Sequence, residues 1–101
     1  MGEMDVARLD RIPVKAPQTA YQVLDEQAVV LDITAKILRG FNPVASRIWH
    51  LVDGRRTIKE IAVTIAEEFA GDEAEIVRDV DAFLHELTDK QLVVFSPAPI
   101  T

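Results

Sequence analysis

Residues 41–69 read FNPVASRIWHLVDGRRTIKEIAVTIAEEF, and this stretch decides the fold. Asn42 is a good helix N-cap. Pro43 suits the first helical position, where its missing N–H goes unused. Val44, Ile48, Leu51 and Val52 then line one face with Trp49 beside it, and Gly54 is expected to end the helix in a left-handed conformation. Thr57 and Glu60 form a capping box, each side chain satisfying a backbone N–H that the helix leaves orphaned. From there Ile58, Ile61, Ala62, Ile65 and Phe69 recur at the spacing of a single buried stripe.

Outward on the C-terminal side, a third helix is predicted from about Asp72, with Asp72 and Glu75 as a second box. Its stripe is Ile76, Val77, Val80, Phe83, Leu84 and Leu87, and Lys90 in the last turn suits the negative end of the helix dipole. Residues 92–95, LVVF, read as a short closing strand before the proline-broken tail 96–101. On the N-terminal side three segments alternate as strands do: Thr19 to Asp25, Ala28 to Thr34, and Lys36 to Gly40. The second places Val29, Leu31 and Ile33 on one side. Residues 1–18, with Pro13 and Pro17, read as an extended arm. The expected domain is 19–95. Its fold class is α+β and winged-helix-like, an N-terminal three-stranded antiparallel sheet followed by three helices.

At 101 residues the chain makes one domain with little room for a deep catalytic cavity. Seventeen Asp and Glu against 11 Lys and Arg leave a net charge of −6, which opposes non-specific attraction to phosphate backbones or anionic lipid. There is no cysteine, hence no disulfide framework and no thiolate metal site. No apolar run approaches the ~20 residues that span a bilayer. A cytoplasmic protein is expected, without membrane contact.

Catalytic patterns are missing. His50 and His85 belong to no metal-binding spacing, Ser46 has no nucleophile elbow, and the four glycines are scattered singly. The expectation is therefore no catalytic residue, no metal and no cofactor. A winged-helix DNA-binding regulator is the alternative function, but its recognition helix opens DEAEIVRDVDAF (72–83). Carboxylates at that start repel phosphates, so no nucleic-acid partner is expected.

The sheet offers another use. An edge strand presents unpaired N–H and C=O groups to an extended peptide or to a second copy of the chain, making a homodimer one candidate assembly. The third strand is short and carries Lys36 and Arg39, which also guard an edge against aggregation. Backbone pairing alone is weak, because ordering a peptide costs roughly 1–2 kcal/mol per residue. A second, apolar wall is needed, and the margin of the third helix at Val77 and Leu84 is a candidate for it.

In order, Phe41-Asn42, Ile48-Trp49, Asp53-Gly54, the Thr57–Ile61 helix start and the run from Phe83 to Val93 resemble the PqqD-like family. These are recognition domains for ribosomally made, post-translationally modified peptides, and the resemblance covers about Thr19 to Phe95. It implies a non-catalytic domain that binds the leader segment of a precursor peptide and presents it to a modifying enzyme. That enzyme is a radical S-adenosylmethionine protein in pyrroloquinoline quinone biosynthesis and another enzyme in related pathways. By position the resemblance points to Lys36, Ile37, Leu38, Arg39 and Gly40 on the third strand. On the third helix it points to Val77, Arg78, Asp81, Leu84 and His85. One departure bears on register: Thr34-Ala35 stand where relatives often have glycine, and Gly40 sits just before Phe41.

Overall fold

The computed structural model describes residues 9–96. Its elements are β1 (Ile12–Lys15), β2 (Thr19–Leu24), β3 (Gln27–Asp32), β4 (Ile37–Gly40), α1 (Pro43–Leu51), α2 (Ile58–Phe69), α3 (Glu73–Asp89) and β5 (Val93–Ser96). β2, β3 and β4 form the expected antiparallel meander, and α1 to α3 follow it. The fold is thus α+β, with sheet first and helices after.

Two boundaries move. The segment expected to be an arm contributes β1, which pairs antiparallel with β5 from Ile12 opposite Ser96 to Lys15 opposite Val93. Pro13 is tolerated there because β1 has only one ladder partner. Its ring is fully buried, so this part of the chain is held by packing. The expectations for residues 1–8 and 97–101 lie outside the described residues. Helix α1 also stops earlier than Gly54 suggests, at Leu51, with Val52 as its C-cap. Gly54 takes its positive φ of 78° in the turn that follows, where Asp53 Oδ1 accepts the amides of Arg55 and Arg56.

The caps explain the other helix starts. The Asn42 side chain accepts the Ala45 amide, and the Thr57–Glu60 box forms with both of its bonds. Asp72 makes no side-chain cap bond, so the second predicted box does not close. Helix α3 ends by turning Gln91 to a φ of 64°, and the Leu92 amide reaches back to the Leu87 carbonyl. That bond satisfies an orphan carbonyl and sends the chain into β5.

The core lies between β3 and the three helices. Ala28 and Val30 are its contribution from β3, with Asp32 buried on the same face; Val29, Leu31 and Ile33 face the other way, Leu31 and Ile33 both exposed. Trp49, fully buried, sits at the centre and meets Tyr21 and Phe41 edge-on at 5.7 and 5.8 Å between ring centroids. Phe41 in turn meets Phe83 at 5.7 Å, so an aromatic chain runs from β2 through the core to α3. Such edge contacts add about 0.5–1.5 kcal/mol each beyond area burial. Ser46 pins sheet to helix, accepting the Ala28 amide at 2.6 Å and donating to the Phe41 carbonyl at 3.2 Å.

Candidate peptide-binding edge and groove

β4 is an edge of the three-stranded sheet. Its register runs from Asp32 opposite Ile37 to Val29 opposite Gly40. One step further, the Phe41 amide donates to the Ala28 carbonyl at 2.9 Å. Antiparallel ladders alternate hydrogen-bonded and non-hydrogen-bonded pairs. Arg39 and Phe41 therefore direct their backbone groups at β3, while Leu38 and Gly40 direct theirs outward, away from the sheet.

Beside this edge runs a cavity of about 240 Å³ whose walls include Arg39, Gly40 and Phe41 on one side and Phe83, Glu86 and Lys90 on the other. It shares Asn42, Ala45 and Phe83 with a second cavity of about 340 Å³, which Ile48, Ile65, Phe69, Ile76 and Asp79 help to line. Together they form a trough along α3, apolar between the helices and charged where it meets β4. Lys90 Nζ donates to Glu86 Oε2 at 2.6 Å, so that pair neutralises itself.

Of the third-strand residues picked from the sequence, four belong to β4. Ile37 and Arg39 lie on its core-side face, Leu38 and Gly40 on the outer face, with Leu38 67% exposed. Lys36 is displaced. It occupies the loop at a φ of 59°, its amide bonded to the Asp32 carbonyl, because the turn from β3 needs a left-handed residue there.

The helix residues picked from the sequence fall on different sides of α3. Leu84 and Asp81 are buried, at 0% and 2% exposure, and neither lines the trough. Val77 packs half-buried against the core and Arg78 is exposed. His85 faces the opposite flank: its ring lies 5.0 Å from that of Phe95 on β5, and its Nδ1 is 3.3 Å from Asp81 Oδ1. The reason is helical geometry. Val80, Leu84 and Leu87 form the buried stripe, so Asp81 and His85 fall on its β5 side and Phe83, Glu86 and Lys90 on its β4 side. The stripe gives the buried face but not which flank meets the edge strand. Periodicity alone makes Phe83 a core residue and Lys90 a dipole partner; the signal that selects them for the trough is the row Ile76, Asp79, Phe83, Glu86, Lys90 at steps of three and four.

A wider cleft of about 400 Å³ lies between β2, α1 and α2, and three of its polar side chains are already engaged within the protein. Arg47 holds Glu68 through two bonds of 2.8 and 2.6 Å, and Ser46 makes the clamp described above. Among the described residues no three His, Asp or Glu side chains gather as a metal site. No described helix is long and apolar enough to cross a membrane.

Known proteins share this architecture. A family model described as Coenzyme PQQ synthesis protein D (PqqD) matches residues 27–93, from the start of β3 to the start of β5. A solved structure described as TbiB1 in complex with the TbiA(beta) leader peptide superposes with a TM-score of 0.74 at 28% sequence identity, covering 79% of this chain and 93% of that one. A search of curated proteins finds no match.

Proposed function

This chain belongs to the PqqD family, and from that premise we propose that it binds the leader segment of a ribosomally made precursor peptide and presents it to a modifying enzyme. The leader joins β4 as a fourth strand of the meander and lays alternate side chains into the trough beside α3. The observation that carries this reading is the outward-facing backbone of Leu38 and Gly40 beside a trough that is charged next to β4 and apolar between the helices. The structural likeness to a protein solved with a leader peptide supports it.

The peptide-contacting residues in this reading are Ile37, Leu38, Arg39 and Gly40 on β4 and Phe83, Glu86 and Lys90 on α3. The recognition unit runs from Ile12 to Ser96, since β1 closes it against β5. The domain contributes binding and no chemistry of its own; a radical S-adenosylmethionine protein or another peptide-modifying enzyme acts on the presented precursor in the cytoplasm. Nucleic acid fits poorly, because Glu73 and Glu75 stand in the first turn of α3.

The test is fluorescence anisotropy with a labelled leader from a precursor encoded beside this chain's gene, and with labelled duplex DNA. Leader binding in the micromolar to nanomolar range is expected, about −8 to −12 kcal/mol. Tight, steeply salt-dependent binding to DNA with no leader binding overturns the reading.

A further inference from the structure

Arg39 stands out in the trough. Its Nε is buried with no hydrogen-bond partner, and no carboxylate among the described residues pairs with it. Buried polar groups are nearly always satisfied, so an orphaned one beside an open groove calls for a ligand. The charge around it points the same way. Glu86 is occupied by Lys90, which leaves the β4 end of the trough net positive on a chain whose net charge is −6.

Ladder geometry then places the partner. A guest strand that bonds the outward groups of Leu38 and Gly40 meets Arg39 across a non-hydrogen-bonded pair. In that pairing Cα atoms approach to about 4.5 Å and side chains are closest. Cross-strand neighbours share a face, so the guest residue opposite Arg39 points into the trough. Two residues on, the guest side chain opposite Ile37 shares that face. Ile37 is 42% exposed and apolar. Antiparallel addition continues the pattern of the sheet and is the more stable per residue.

Resting on the leader-binding reading, we infer that Arg39 selects the peptide: the leader carries an aspartate or glutamate opposite Arg39 and an apolar residue two positions nearer its C-terminus. The carboxylate accepts from the guanidinium in a charge-assisted pair of the kind arginine makes well. Arg39 is thereby a specificity residue for an acidic-x-apolar segment.

Selection of random dodecapeptides displayed on phage against the full chain tests this and needs no natural leader in hand. Binders are expected to share the acidic-x-apolar spacing, and the selection on Arg39→Glu is expected to return basic-x-apolar instead. A selected peptide, synthesised with its acid changed to the amide, is expected to bind the parent roughly ten-fold more weakly. It should bind Arg39→Met, which keeps an unbranched apolar side chain for folding, almost unchanged by that swap. Binders that slow amide exchange at Leu38 and Gly40 yet tolerate loss of the acid overturn the Arg39 assignment alone. A selection that yields no binder, or only binders seated away from β4, overturns the leader-binding reading beneath it.

Discussion

The Phe41 amide and the Ala28 carbonyl, 2.9 Å apart, set the phase of the sheet's free edge. Had that bond belonged to Gly40, the ladder would turn the Arg39 side chain to the outer face of the sheet, away from α3. As it stands, the edge backbone and the trough face the same guest strand. Phe41 itself is held by Ser46 and by its rings on either side, Trp49 and Phe83.

Leu38→Pro deletes an outward donor and leaves the β3 ladder whole. The variant is expected to fold, with a circular dichroism spectrum like the parent's, and to bind a leader at least about ten-fold more weakly. Arg39→Pro deletes an inward donor and is expected to lose the β3–β4 hairpin. A folded Leu38→Pro protein with full affinity argues against strand addition at β4.

Ser46→Ala strands the buried Ala28 amide, which has the Ser46 hydroxyl as its acceptor. An unsatisfied buried donor costs about 1–3 kcal/mol. For a domain of this size each kcal/mol lowers Tm by roughly 4–8 °C. Thermal unfolding followed by circular dichroism measures the shift, and an unchanged Tm contradicts the clamp.

The β2–β3 turn has two residues, Asp25 and Glu26, at φ of 52° and 66°. Both are left-handed, a conformation that costs ordinary L-residues about 1–2 kcal/mol and that asparagine and glycine adopt readily. Asp25→Asn combined with Glu26→Gly is expected to raise stability by about 1–2 kcal/mol in urea denaturation without altering leader affinity.

Lys15 ties β1 to the core: its Nζ donates to the Val52 carbonyl at 2.6 Å and lies 5.1 Å from both the Tyr21 and Trp49 ring centres. Burial lowers its pKa from the ordinary 10.5, against an opposing pull from Asp53. Between the lowered folded value and 10.5 the unfolded chain holds more protons than the folded one, so this group makes stability rise with pH across that interval. Lys15→Met is expected to lose about 1–2 kcal/mol at neutral pH and to flatten the alkaline rise. Urea midpoints measured from pH 7 upward in both proteins check the sign.

Helices are the most legible part of the sequence, because capping chemistry is local: Asn42-Pro43 and Thr57 with Glu60 mark their starts from four residues at most. The meander is legible too, since β-branched alternation survives in short strands. What alternation leaves open is which side is buried. Val29, Leu31 and Ile33 are the more hydrophobic set, yet Ala28 and Val30 face the core, because α1 packs close enough to admit a small residue and the Ser46 clamp. β1 is hard to read since Pro13 is a poor strand signal and its partner lies some 80 residues away in β5. The groove is half legible: the edge strand follows from connection order, but the flank of α3 that meets it depends on how the helix is set against both sheets, which no local pattern encodes.

Amide hydrogen exchange at four consecutive residues tests the central claim most directly. In the free protein Leu38 and Gly40 are expected to exchange fast, and Arg39 and Phe41 slowly. With a saturating leader peptide, Leu38 and Gly40 should become protected while Arg39 and Phe41 change little. A saturated complex in which Leu38 and Gly40 still exchange as in the free chain contradicts the account.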